Sequence, residues 1–180
     1  MRIEGLPLRD LRLVHLDRNI DERGFFARTF SRNVFAEQGL ADCSLECSLS
    51  HNRSAGTLRG MHFQRHPHGE TKLVRCTRGA IFDVAVDVRP GSASFGCWFG
   101  IELSADNSLA LYIPAGFAHG FVTLHDNSDV FYQIAEPFVP SVSSGFRWND
   151  PAVAIEWPFS PRLLSARDEA LPLLAALELA

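Results

Sequence analysis

The sequence predicts a mainly β protein, an antiparallel jelly roll with short peripheral helices, on three observations. Short runs rich in Val, Ile, Phe and Tyr recur from about residue 44 to 157, punctuated by Gly, Pro, Asn and Asp at the spacing of an antiparallel sandwich or barrel. Between Ala80 and Val88 the residues alternate: Phe82, Val84, Val86 and Val88 are interleaved with Asp83, Ala85 and Asp87, which predicts a strand with one apolar face. Helical patterns are confined to the two ends of the chain.

In chain order, the first element is a short helix from Ser31 to Gln38, closed by Gly39, a residue that readily adopts the positive φ of a helix C-terminus. Strand-like, glycine-punctuated sequence follows at Leu58 to Gln64, then at Lys72 to Arg75. Thr77-Arg78-Gly79 reads as a hairpin turn into the alternating strand. Trp98 to Leu103, Leu109 to Ile113, Phe121 to Leu124 and Val130 to Ile134 supply four more strands. From Ser165, a second helix is expected with Asp168 and Glu169 in its first turn, before a Leu/Ala-rich tail.

With 180 residues, 46% of them apolar, one full core is expected, and a single domain spans 1–180. The net charge of -4 and the lack of any basic block argue against a nucleic-acid partner. An anionic ligand would need a local cluster of cations. The opening Met1-Arg2-Ile3-Glu4-Gly5 lacks the apolar run of a signal peptide, so Cys43, Cys47, Cys76 and Cys97 are expected as reduced thiols in a cytoplasmic protein. The longest apolar stretches are far shorter than the roughly 20 residues of a membrane span. No membrane association is expected.

Chemistry concentrates in three segments: Leu58-Arg59-Gly60-Met61-His62-Phe63-Gln64, Lys72-Leu73-Val74-Arg75, and Pro114 to Phe121 with His119. A histidine, cations and a second histidine form a set able to abstract a proton, stabilise the resulting anion and hold an anionic substrate. Each member also has an ordinary structural explanation. Arg59 and His62 differ in parity, so a regular strand would send them to opposite faces unless Gly60 introduces a bulge. Lys72 would serve equally to blunt a strand edge, and Tyr132 to fill a core with its hydroxyl satisfied. Asp168, three residues after Ser165, suits a helix N-terminus with no chemistry implied.

Pro114-x-Gly116-x-x-His119 matches the second half of the cupin pattern, in which a turn aims a histidine into the mouth of a jelly roll. A metal set would draw on His66, His68, Glu70 and His119. The glutamate comes too early for that pattern and Pro67 interrupts the histidines, so no metal is expected.

Together these segments resemble the dTDP-4-dehydrorhamnose 3,5-epimerase family, metal-independent cupins that epimerise nucleotide-linked 4-keto-6-deoxy sugars. The resemblance begins at Asp21-Glu22-Arg23-Gly24-Phe25-Phe26 and runs through Leu58 to Gln64, Lys72 to Arg75, Asp83 to Asp87 and Pro114 to Phe121. It continues at Trp148-Asn149-Asp150-Pro151 and closes at Leu164-Ser165-Ala166-Arg167-Asp168. It implies His62 as general base paired with Asp168, Tyr132 as the acid on the opposite side of the sugar, and Lys72 facing the keto oxygen. It further implies substrate contacts from Arg23, Phe26, Arg28, Arg59, His119 and Arg167, no cofactor, and a homodimer in which the Phe25–Phe26 region completes the neighbour's pocket. A proton beside a ketone becomes removable when the enolate oxygen is stabilised, and a lysine about 4 Å away supplies on the order of 4 kcal/mol before desolvation. The expected reaction is epimerisation at C3, C5 or both, within deoxysugar biosynthesis. A ketoisomerase on the same substrate class and a non-catalytic sugar-nucleotide-binding cupin are the competing readings.

The chain departs from the family pattern at Arg28 and Ser143, where glutamate is usual, at Cys47 and Leu49, where glutamine and asparagine are usual, and at Glu70, commonly glutamine. These changes in charge and hydrogen bonding lead to a further expectation, that the usual dTDP substrate is not preferred or that only one centre is inverted.

Overall fold

The computed structural model describes residues 1–179 of the chain. Thirteen strands run in chain order as β1 (Arg2–Gly5), β2 (Arg12–His15), β3 (Asn19–Asp21), β4 (Gly24–Phe26), β5 (Glu46–Asn52), β6 (Leu58–Gln64), β7 (Lys72–Arg78), β8 (Ala80–Asp87), β9 (Trp98–Ser104), β10 (Ala110–Ile113), β11 (Phe117–Thr123), β12 (Ser128–Ile134) and β13 (Ser143–Gly145). They form a six-stranded sheet in the order β1-β2-β10-β7-β12-β5, a five-stranded sheet in the order β13-β6-β11-β8-β9, and the separate β3-β4 hairpin. The two large sheets give the expected antiparallel jelly roll.

Three apolar clusters explain how the sheets are held. Val74, Cys76, Leu111, Ile113 and Val130 from the first sheet meet Ile81, Ala85, Leu103, Phe117 and Phe121 from the second, forming the interior of the sandwich. Helix α1 (Arg32–Glu37) covers the outside of the six-stranded sheet, packing Phe35 against Val14, Leu73, Ala110 and Tyr112. The C-terminal segment covers the outside of the other sheet, with Phe146, Val153 and Leu174 against Met61, Val84, Val86 and Ala118.

That last layer corrects the reading of β8 as a strand with one apolar face. Val84 and Val86 do face a core, but it is the outer one, while Ile81, Asp83, Ala85 and Asp87 face inward and are also buried. The two aspartates survive burial because each is paired. Asp83 meets His119, and Asp87 accepts hydrogen bonds from Arg89, Ser92 and Ser94.

The N-terminal helix ends as expected, with Gly39 at φ 67°. The C-terminal one is a correction: α2 spans only Ala166–Glu169, and a separate 3-10 turn at Leu174–Ala176 replaces the helical tail. Pro172 accounts for the break, since it has no amide hydrogen to donate and disfavours helical backbone at Leu171. The short strands β1 to β4 and β13 lack a readable alternation. No helix among the described residues is long and apolar enough to cross a membrane.

Candidate active site

The site is built around a defect in β6. His119 of β11 pairs with His62 and Phe121 with Arg59, so two residues of β6, Gly60 and Met61, stand opposite the single Gly120. This bulge shifts parity by one and turns Arg59 and His62 to the same inward face. Only glycine fits there: Gly60 has φ 142°, and a Cβ on it would lie 2.5 Å from Gly120 Cα. The bulge that the sequence left open is present.

Seven of the ten expected site residues line one cavity of about 400 Å³: Arg59, His62, Lys72, His119, Tyr132, Arg167 and Asp168. His62 comes from the five-stranded sheet and Tyr132 from the six-stranded one, so they approach the cavity from opposite layers. Nε2 of His62 lies 2.7 Å from Asp168 Oδ1, and Gly60 N–H donates to Asp168 Oδ2 at 3.4 Å. With Nε2 engaged by a carboxylate, Nδ1 is the nitrogen left to take a proton. Burial alone would raise the Asp168 pKa, but the hydrogen bond and charge of His62 and the Gly60 amide hold it below the ordinary carboxylate value. Burial pushes the Tyr132 hydroxyl well up, the Asp83 carboxylate pushes it further, and Arg59 offsets part of the rise. Tyr132 therefore keeps its proton at neutral pH.

The remaining site residues are individually held. Arg59 donates from Nε to Asn52 Oδ1 at 2.8 Å. Lys72 Nζ lies 2.9 Å from Glu70 Oε2. Arg167 donates to Ser143 Oγ at 3.0 Å. His119 Nε2 sits 2.7 Å from Asp83 Oδ1 in a buried pair, while Asp83 Oδ2 has no partner among the described residues.

Three expected residues are elsewhere. Arg23 pairs with Asp21 on the exposed β3-β4 hairpin, Phe26 is 72% exposed, and Arg28 borders a separate hollow with Met1, Asp17 and Ser31. The chain by itself does not bring them to the cavity. Two of the departures also turn away from it. Because β5 alternates, Ser48, opposite Tyr132, and Ser50 line the cavity, whereas Cys47 and Leu49 point to the other face.

The metal-type set does not converge either. Glu70 is committed to Lys72 and His119 to Asp83, and among the described residues no three His, Cys, Asp or Glu side chains are grouped to hold an ion. Sequence reasoning assigned no site role to Asp83, Ser48 or Ser50. The usable signal was an aspartate at an inward position of an apolar strand, since a buried carboxylate needs a partner.

Comparison with known proteins decides the family. The profile of the dTDP-4-dehydrorhamnose 3,5-epimerase family matches residues 5–176. The chain belongs to the dTDP-4-dehydrorhamnose 3,5-epimerase family. A dTDP-4-dehydrorhamnose 3,5-epimerase of Escherichia coli is 48% identical over 153 residues, covering 84% of this chain and 82% of the relative. One from Sinorhizobium fredii is 41% identical over 179 residues, covering 98% of this chain and 91% of its own. Among solved structures, a dTDP-6-deoxy-D-glucose-3,5-epimerase from Legionella pneumophila in complex with dTDP-4-keto-L-rhamnose superposes with a TM-score of 0.93 at 35% identity, covering 98% of this chain and 94% of that one. This member of the family is an isomerase, an epimerase of nucleotide-linked 4-keto-6-deoxyhexoses in deoxysugar biosynthesis.

Proposed function

We propose that this epimerase inverts both C3 and C5 of a dTDP-linked 4-keto-6-deoxyhexose, with His62 as base, Tyr132 as acid and Lys72 at the keto oxygen. The observation that carries this reading is the approach of His62 and Tyr132 from opposite sheets to one cavity that also contains Lys72. Inversion requires removal of a proton on one side of the sugar and delivery on the other. Two groups on one wall would exchange protons without inverting a centre.

His62 takes the proton next to the ketone through Nδ1, and the imidazolium so formed is steadied by Asp168. The electrons move onto the C4 oxygen, where the Lys72 ammonium meets the developing charge. Tyr132 then protonates the enolate carbon from the opposite layer; once His62 has given its proton to solvent and Tyr132 has taken one back, the same cycle serves the second centre. Arg59 and Arg167 supply the local cations that an anionic nucleotide requires on a chain of net charge -4, and His119 lines the same cavity.

The case for an altered substrate weakens once Cys47 and Leu49 face away from the cavity; of the other departures, Ser143 and Glu70 contact residues that line it, and Arg28 would reach a cavity only in a neighbouring copy. A homodimer is part of the proposal. It is supported by the exposed apolar hairpin, with Ile20 77%, Phe25 53% and Phe26 72% exposed, which would place Arg23, Phe26 and Arg28 at the neighbour's cavity. The reaction is assigned to the cytoplasm, where the four unpaired thiols stay reduced.

The test is solvent deuterium incorporation followed by NMR with dTDP-, CDP-, GDP- and UDP-linked 4-keto sugars. Incorporation at C3 and C5 of the dTDP substrate, with both centres inverted and the signal lost by about 10²- to 10⁴-fold in His62→Asn, is the expected result. Exchange at one centre only, or preference for another nucleotide, would overturn the specific assignment.

A further inference from the structure

Lys72 enters the cavity at the start of β7, and its ammonium is not free. Nζ lies 2.9 Å from Glu70 Oε2, with the two side chains only 13% and 9% exposed, and among the described residues Glu70 is its ion-pair partner. The segment carrying Glu70 is itself pinned. Thr71 accepts from Ala115 N–H through Oγ1 at 3.1 Å and from Ala135 N–H through its carbonyl at 3.0 Å, which ties the approach to β7 to the ends of β10 and β12.

We propose that Glu70 is a positioning residue for Lys72: it holds the ammonium at the depth of the cavity where the enolate oxygen forms. The inference rests on the reading of Lys72 as the partner of that oxygen. Lysine carries its charge on a flexible four-carbon stem, and in a cavity that also admits a nucleotide the untethered ammonium would follow phosphate or water instead. Geometry is costly to lose, since a displacement of about 1 Å at a reacting centre costs about 10²-fold in rate.

The carboxylate also opposes the reaction, because its charge offsets part of the field that Lys72 presents. Two features decide in favour of positioning. An ammonium has three donors, so its ion pair with Glu70 leaves at least two for the substrate. The enolate oxygen, moreover, would meet the ammonium directly and the carboxylate only from beyond it, so attraction exceeds repulsion.

The experiment is a double-mutant cycle on kcat and KM, read both as epimer formed and as solvent deuterium incorporated. Glu70→Ala is expected to lower kcat by about 10- to 100-fold with KM changed by less than about 3-fold, the signature of a group acting in the transition state. Glu70→Gln, which keeps the acceptor oxygen and drops the charge, should stay within about 5-fold of wild type. In a Lys72→Ala background, Glu70→Ala should add nothing. Glu70→Met has similar length without an acceptor, so it carries the same expectation if the alanine variant folds poorly. Equal losses in both backgrounds, or an unchanged kcat in Glu70→Ala and Glu70→Met, would overturn the positioning role. Full exchange in Lys72→Ala itself would instead overturn the assignment of Lys72, a distinct result.

Discussion

Asp168 serves His62 and its own helix at once: its Oδ1 lies 2.7 Å from His62 Nε2 while its backbone N–H donates to Ser165 Oγ at 3.1 Å. The carboxylate faces His62 and the Gly60 amide, while the helix start takes only the backbone amide of this residue. Ser165 supplies the helix cap, and the short helix it starts carries the carboxylate to β6.

The two roles separate by mutation. Asp168→Asn removes the carboxylate that fixes the imidazole and should depress deuterium exchange by about 10⁴-fold if the tautomer is reversed, with the backbone cap intact. Ser165→Ala should cost about 1 kcal/mol of stability. Its exchange rate should remain far closer to wild type. The opposite ranking in melting and exchange assays would assign Asp168 to the helix alone.

Tyr132→Phe should uncouple exchange from inversion. The base can still remove a proton and return it to the same face, while the opposite donor is gone. NMR should show deuterium washed in with little epimer formed, at a loss of about 10²-fold or more in inversion. Equal loss of both signals would make Tyr132 a positioning residue.

Gly60→Ala should damage fold and site together. The added Cβ meets Gly120 Cα at 2.5 Å and His119 O at 3.2 Å, both backbone atoms, on a residue at φ 142°. Strain of this kind costs about 1 to 3 kcal/mol before any clash is counted. Gly5→Ala is the control, with nothing within 4 Å of the new methyl. A Gly60→Ala protein with wild-type melting and exchange would remove the bulge from the account of how Arg59 and His62 share a face.

Much of this site was readable because it depends on local chemistry. The strand periods, the Gly60 alternative and the turn before His119 are all short-range signals. The missing parts are long-range. Nothing near Asp83 announces that the His119 side chain will meet it from the neighbouring strand, and nothing in β8 reveals that residues 146 to 174 cover its other face. The altered-substrate expectation at Cys47 and Leu49 rests on the resemblance alone. The parity of β5 against Tyr132, set by tertiary pairing, turned Ser48 and Ser50 inward instead.

Asp87 predicts an acid limb of stability that is separate from catalysis. Burial opposes its charge, but hydrogen bonds from Arg89, Ser92 and Ser94 lower its pKa to about 2. A depressed carboxylate contributes stability above its unfolded pKa and loses it as pH falls through the folded one. Wild type should therefore lose about 2 kcal/mol from this group between about pH 5 and pH 2. Asp87→Asn should be less stable at pH 7, with the gap closing toward pH 2 in denaturant titrations. A gap independent of pH would tie the loss to packing.

The last prediction concerns the hairpin that stands away from its own cavity. Arg23 and Phe26 lie on exposed β3-β4, so if they act on the substrate they must do so in a neighbouring copy. Arg23→Ala, combined with Phe26→Ala, should then be inactive with an intact cavity, and His62→Asn should be inactive with an intact hairpin. Mixing the two after dissociation creates heterodimers in which the cavity of the first protein receives the hairpin of the second. With random pairing, half of the dimers are mixed and each has one complete site, so activity should return to about a quarter of wild type. Restoration requires exchange of whole subunits, because neither chain alone holds all the parts. No recovery in mixed dimers verified by mass would show that the hairpin acts within its own chain, whereas an active hairpin variant before mixing would show that it has no part in the site.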